Sequence, residues 1–312
     1  MNRRLTIFVQ IRETLARRVA EALPEHTVLA IPTSGDLPDA RAEVLLTLPW
    51  AGPNLPDVLA RGVRWVHVLG TGVDAFPFHA LGDQRLTCSR GASAIPIAEW
   101  VLAVMLAFEK RLPAAWIDAP PADGWSRMHL GGLYGKTLGL VGIGGIGSAV
   151  AERARAFGMT VRAHRRSDHP APVAGVELAS SLRDLVASAD HLVLAAPATP
   201  ATRHLLDRAA FAALKPNAHI VNIARGSLID TDALHEALDA GRVAMASLDA
   251  VDPEPLPAGH WLYTHPRVRL SPHVSWNMPG AAELLLDAFI ANVRCYAAGE
   301  PLTGVVDPAE GY

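Results

Sequence analysis

The sequence predicts an α/β protein built from two doubly wound parallel-sheet domains. Three observations carry this reading. Short apolar runs alternate with amphipathic stretches from end to end, the pattern of parallel βα units. A second such series starts afresh at Thr137. Two long apolar segments, residues 97–111 and 281–298, read as helices joining the two bodies. At 312 residues the chain is long enough to give each body its own core.

In the first body, strands are expected at residues 5–10, 27–31, 44–48, 65–70 and 85–88. Leu15, Val19, Ala22 and Leu23 lie at helical spacing after the first strand. "LPWAGPNLP" and "DAFPFHALGD" read as Pro/Gly loops. The helix over 97–111, "IAEWVLAVMLAFEKR", is apolar almost all round, the mark of a helix buried between two bodies. Behind it, "LPAAWIDAPPADGWSRMHLGGLYGKT" is irregular. It reads as a traversing loop because it carries Trp116 and Trp125.

In the second body, "TLGLVGI", "TVRAH", "HLVLAAP", "HIVNIA", "VAMASLD" and "VRLSP" read as strands. "LRDLVASA" and "TDALHEALDAG" are helices between them, the latter closed by Gly241. The last helix, 281–298, carries the chain away from this series.

Composition removes several functions. Half the residues are hydrophobic and the formal net charge is −3, against a dedicated nucleic-acid binder. No apolar run reaches membrane-spanning length. The start, "MNRRLTIFVQIRE", has too short an apolar run for a signal peptide and reads as the first strand. Cys88 and Cys295, the only cysteines, are expected to be buried and reduced in a cytoplasmic protein. No His/Cys/Asp cluster shows metal-ligand spacing, so no metal is expected.

The first chemical signal is "LGLVGIGGIGSAVAERARAFG". Gly142, Gly144 and Gly147 fall in G-x-G-x-x-G spacing between an apolar strand and a helix pattern. Gly142 allows a tight turn, Gly144 lets the backbone approach a pyrophosphate, and Gly147 lets helix and strand pack closely. The N–H groups of Gly145 and Ile146 then face the anion. The next strand ends eighteen residues on (165 − 147), where an acid usually accepts from the adenosine ribose. Here Arg165 stands, followed by Arg166 and Ser167. A guanidinium binds a 2′-phosphate where an acid would repel it. Two readings stand: an NADP(H) clamp, and an NAD(H) site whose arginines border the ribose.

The second signal is a set of polar residues at consecutive strand ends: Arg225 in "VNIARGSLID", Asp249 and Glu254 in "SLDAVDPEPLP", His273 in "VRLSPHVSWNMPG". Each alone reads as a cap, a loop acid or a core histidine. In an open parallel sheet, however, ligands bind beyond the carboxyl ends of strands, beside the glycine loop. Together they point to catalysis.

These stretches, with "GKTLGLVGIGGIGSAVAERARAFGM", "HLVLAAPATPATRHLL", "LKPNAHIVNIARGSLIDTDAL" and "SPHV", resemble the NAD(P)-dependent D-isomer-specific 2-hydroxyacid dehydrogenases over nearly the whole chain. The resemblance implies a flavodoxin-like substrate domain and a Rossmann cofactor domain with a cleft between them. Residues 1–93 and 278–312 would form the first and 94–277 the second. It implies Arg225 as the substrate-binding arginine, Glu254 as the histidine's acidic partner and His273 as the acid/base. It places Asp249 on the nicotinamide carboxamide, and Pro197, Thr202 and Ala224 against the cofactor. In "LGTGVDAFP", the backbone N–H groups of Thr71 and Gly72 would hold the substrate carboxylate. It further implies a homodimer. The closing "GVVDPAEGY" is similar to the glyoxylate/hydroxypyruvate reductase branch.

Two departures matter. The usual cofactor acid is replaced by Arg165, and the Gly-rich segment after the histidine by "SWNMPG", where Trp276 shapes a substrate pocket or only packs. The expected activity is NADPH-dependent reduction of a small 2-oxo acid. Its rivals are an NAD(H)-preferring dehydrogenase of another substrate class and a catalytically silent dinucleotide-sensing protein.

Overall fold

The computed structural model describes residues 3–122, 124–166 and 169–312. It divides into two compact units, one formed by Met1–Ser93 with Met278–Tyr312, the other by Ala94–Asn277.

The first unit has the strands β1 (Thr6–Val9), β2 (Thr27–Ala30), β3 (Val44–Thr47), β4 (Trp65–Val68) and β5 (Arg85–Cys88), with helices α1 (Glu13–Ala22) and α2 (Leu55–Ala60) between them. The second unit runs α3 (Ala94–Glu109), β6 (Thr137–Val141), α4 (Gly145–Ala156), β7 (Thr160–His164), β8 (Glu177–Leu178), α5 (Leu182–Ser188), β9 (His191–Leu194), α6 (Arg208–Ala213), β10 (Ala218–Asn222), α7 (Thr231–Asp239), β11 (Val243–Leu248) and β12 (Val268–Leu270). Helix α8 (Ala281–Ala298) returns the chain to the first unit.

In the first unit the sheet order is β2-β1-β3-β4-β5, all parallel. Strand β3 reads VLLT and β4 WVHV, and both are buried throughout, as expected of strands covered on both faces. Leu286, Phe289 and Val293 of α8 share one core cluster with Trp65 and with Val19 of α1. The Phe289 and Trp65 rings lie 5.7 Å apart. Burial of such side chains contributes about 1.5–3 kcal/mol each. Beyond α8, the Val306 N–H donates to Leu86 O at 3.0 Å, fastening the tail to β5.

In the second unit the order is β12-β11-β10-β9-β6-β7-β8, again all parallel. The chain winds outward from β6 to β8, then restarts at β9 on the other side of β6. That reversal places a topological switch point at the carboxyl ends of β6 and β9, where such sheets take their ligands.

The structure departs from the sequence reading in a few places. Helix α2 begins inside "LPWAGPNLP", at Leu55: a proline in a first helical turn loses no hydrogen bond, so Pro56 is accommodated there. Strand β8 is a two-residue exposed edge too short to leave a pattern. Trp116 and Trp125 are largely exposed, at 74% and 76%. Cys88 is buried, but Cys295 is only half-buried because it lies off the core-facing stripe of α8. Among the described residues, no helix is long and apolar enough to cross a membrane.

Candidate active site

The three glycines do three different things. Gly142 has φ of 93°, and a Cβ there would meet Ala195 O at 2.8 Å, so the turn after β6 tolerates only glycine. At Gly147 a Cβ would lie 2.5 Å from Gly142 O, the closeness that lets α4 start against the strand. Gly144 faces open space, with nothing within 4 Å of where a Cβ would stand. Gly145 and Ile146 follow as the first residues of α4, whose initial N–H groups have no intrahelical partners.

Arg165 directly follows β7. Val141 and His164 are register partners, and the Gly142 N–H donates to His164 O at 2.9 Å. Arg165 therefore emerges beside the glycine turn. Its Nη1 donates to Pro170 O at 3.2 Å, which bends the side chain back along its own loop. Arg166 is exposed, and Ser167 lies outside the described residues. Arg162, the first arginine of this stretch, has a different role: its guanidinium grips Asp184, with Nη2 2.9 Å from Oδ2.

After β9, Thr202 Oγ1 donates to Pro197 O at 2.7 Å and accepts from the Thr199 N–H at 2.8 Å. These bonds close a short turn beside the switch point. After β10, Ala224 and Arg225 sit on a loop held by Asn222, which the sequence reading missed. Asn222 is fully buried; its Nδ2 donates to Arg225 O at 2.9 Å and to Ala250 O at 3.2 Å, and its Oδ1 accepts from the Ala224 N–H. Its signal was a polar side chain closing an apolar strand. Gly226 lets this loop touch the next, since a Cβ there would overlap the Val251 carbonyl carbon at 1.9 Å.

The acid–histidine pair is formed. His273 Nδ1 lies 2.8 Å from Glu254 Oε2, while Glu254 Oε1 accepts from the Val251 N–H at 3.0 Å. Both side chains are partly accessible. The hydrogen bond to Glu254 raises the His273 pKa; burial and the Arg225 charge oppose it less strongly. Burial would raise the Glu254 carboxyl, but His273, the Val251 N–H and the Arg225 charge outweigh it and hold it below its ordinary value. Nδ1–H is thus committed to Glu254, and Nε2 is the ring position left for a reacting group.

Asp249 lies behind the histidine and is 2% exposed. Its carboxylate accepts from Ser271 Oγ at 2.5 Å, from the Val274 N–H at 2.9 Å and from the Ser275 N–H at 2.8 Å. Trp276 is half-buried against the core around α3 and α4, and its Nε1 donates to His273 O at 3.0 Å. Arg225, Asp249, Glu254 and His273 thus gather at the carboxyl ends of β10, β11 and β12.

Thr71 and Gly72 belong to the first unit, just beyond β4, where Thr71 Oγ1 reaches Ser89 O at 3.5 Å. The fold also makes a cluster that sequence spacing did not suggest. His235, Asp239 and His265 bring their ligand atoms within 4.8 Å of one another. His265 Nδ1 accepts from the Arg267 N–H, so in the neutral ring Nε2 carries the proton toward Asp239 Oδ1, 3.2 Å away. A metal-binding histidine shows the opposite polarity, donating from its outer nitrogen. The cluster reads as a hydrogen-bonded clip stacked on Trp261.

A family model described as the D-isomer specific 2-hydroxyacid dehydrogenase NAD binding domain matches residues 102–275. Over 210 residues the chain is 39% identical to D-3-phosphoglycerate dehydrogenase of Methanocaldococcus jannaschii, a match covering 65% of this chain but only 40% of that protein. It is 31% identical to glyoxylate/hydroxypyruvate reductase A of Serratia proteamaculans, covering 98% of this chain and 97% of the relative. Among solved structures, a D-isomer specific 2-hydroxyacid dehydrogenase from Xanthobacter autotrophicus Py2, in complex with NADPH and MES, superposes with a TM-score of 0.86. That pair shares 26% identity over 99% of this chain and 100% of the other.

Proposed function

The chain belongs to the D-isomer specific 2-hydroxyacid dehydrogenase family of NAD(P)-dependent enzymes, and from that premise we propose that it reduces small 2-oxo acids of the glyoxylate/hydroxypyruvate kind, using NADPH. The observation that carries the reading is the His273–Glu254 hydrogen bond at the strand ends that also present Arg225.

The glycine turn fits a dinucleotide: the face of Gly144 is open where a pyrophosphate needs backbone approach, and the first N–H groups of α4 lie beside it. Gly142, Gly144, Gly145, Ile146 and Gly147 would hold the phosphates, with Pro197, Thr202 and Ala224 bordering the rest. Arg165, beside Gly142 at the end of β7, supports NADP(H) over NAD(H), because a guanidinium there complements a 2′-phosphate. When bound, the nicotinamide supplies the hydride.

The protein's work is orientation and charge. Arg225 binds the substrate carboxylate and carbonyl oxygen as a planar fork. His273, kept protonated by Glu254, gives its Nε2 proton to the carbonyl oxygen as negative charge builds there. Glu254 fixes the tautomer and stabilises the imidazolium. In this reading the first unit acts as substrate domain and the second as cofactor domain. The same family reading implies a cytoplasmic homodimer. A panel of glyoxylate, hydroxypyruvate, pyruvate and bulkier 2-oxo acids, assayed with NADPH and with NADH, tests the proposal. Faster turnover of the small acids with NADPH supports it; no oxidation with any acid refutes it.

A further inference from the structure

His273 has φ of 54°, a left-handed backbone that a side chain bearing a Cβ rarely adopts without outside support. That support comes from both sides of the residue. Three successive N–H groups, those of His273, Val274 and Ser275, converge on Asp249: the first on its main-chain oxygen at 3.0 Å, the next two on its carboxylate. Consecutive amides in such a conformation form a concave anion site, and here a buried carboxylate fills it. Ser271 Oγ adds a fourth donor to the same residue. On the far side, the Trp276 indole N–H takes the His273 carbonyl oxygen.

We propose that Asp249, Ser271 and Trp276 are positioning residues that latch the His273 main chain in its left-handed turn, leaving only the ring to move against Glu254. The latch rests on His273 being the proton donor of the function proposed above. It assigns Trp276 a hydrogen-bonding duty rather than that of a pocket wall. It also gives Asp249 a task independent of any cofactor, since three of the roughly four acceptor positions of its carboxylate are already filled. The charged groups acting on the ring are Glu254 and Asp249, which favour its proton, and Arg225, which opposes it. Loss of the latch therefore loosens the ring from Glu254 and lowers its proton affinity.

Trp276→Phe keeps the ring and removes the N–H; Ser271→Ala removes one donor to Asp249 with little change of volume. Both are compared with the parent by kcat at saturating substrate, by Kd for NADPH, and by the His273 pKa from imidazole NMR, assigned with His273→Asn. The latch predicts that kcat falls about tenfold in Trp276→Phe and less in Ser271→Ala, with NADPH affinity held within about twofold. It also predicts that the His273 pKa drops toward its ordinary value in both, with the preference for small over bulky 2-oxo acids unchanged. An unmoved His273 pKa in both variants overturns it. So does a changed size preference with an unmoved pKa, the signature of a pocket wall. If the parent oxidises NADPH with no 2-oxo acid while Trp276→Phe still lowers the His273 pKa, the functional reading fails and the latch stands.

Discussion

His273 Nδ1 and Glu254 Oε2 stand 2.8 Å apart, and the pairing moves their proton affinities in opposite directions: the imidazole upward, the carboxyl downward. Reduction needs the imidazolium, so kcat should stay level at low pH and fall as pH rises through the raised His273 pKa. Glu254→Gln removes the negative partner and should move this basic limb to lower pH, with kcat at neutral pH reduced about 10- to 100-fold. A pH–rate profile of both proteins checks the direction of the shift.

Arg225→Lys replaces a planar fork by a point charge. KM for the 2-oxo acid should rise and kcat should fall, together costing about 2–3 kcal/mol in kcat/KM. The Kd for NADPH, measured without substrate, should change little. An unchanged KM would count against carboxylate binding by this residue.

The Arg165→Ala, Arg166→Ala double variant tests the cofactor reading. Removal of a charge-assisted contact to a phosphate should weaken NADPH by about 10- to 100-fold and NADH by less than threefold. Equal weakening of both would show that the arginines only border the ribose.

Stability should fall on acidification in a defined order. His67 is buried, bonded to Thr87 Oγ1 and Ser89 Oγ, and burial lowers its pKa to about 3. The unfolded chain binds this proton below about 6.5 while the folded chain does not, so stability declines as pH drops from about 6.5 toward 3. Glu109 lies against Lys136 and His191; burial alone would raise its carboxyl, but these partners hold it below its ordinary value. Its contribution is present above the unfolded carboxyl pKa, near 4.5, and lost as pH falls through the lower folded value. Urea midpoints measured from pH 7 to 4 should fall, and His67→Gln should flatten the upper part of that fall.

Much of this arrangement is legible in sequence because it is local. The glycine turn is one short segment whose spacing follows from sterics, and β5, β7 and α8 span the residues their patterns predict. Arg225, Glu254 and His273 stand out because polar groups close apolar strands. What escapes is what depends on a neighbour across the sheet. Asn222 ties the Arg225 loop to Ala250, Gly226 meets Val251, and Asp249 gathers amides from 274 and 275, all pairings between strands 20 or more residues apart. The clip of His235, Asp239 and His265 is hidden for the same reason.

His273 as proton donor is tested most directly by NADPH oxidation driven by glyoxylate or hydroxypyruvate, measured for the parent and His273→Ala beside NADPH binding by the same proteins. Rapid oxidation by the parent is expected, with a loss of about 10²- to 10⁴-fold in kcat in the variant and NADPH affinity within about twofold. Undiminished turnover in His273→Ala, or parallel loss of turnover and NADPH binding, would contradict it.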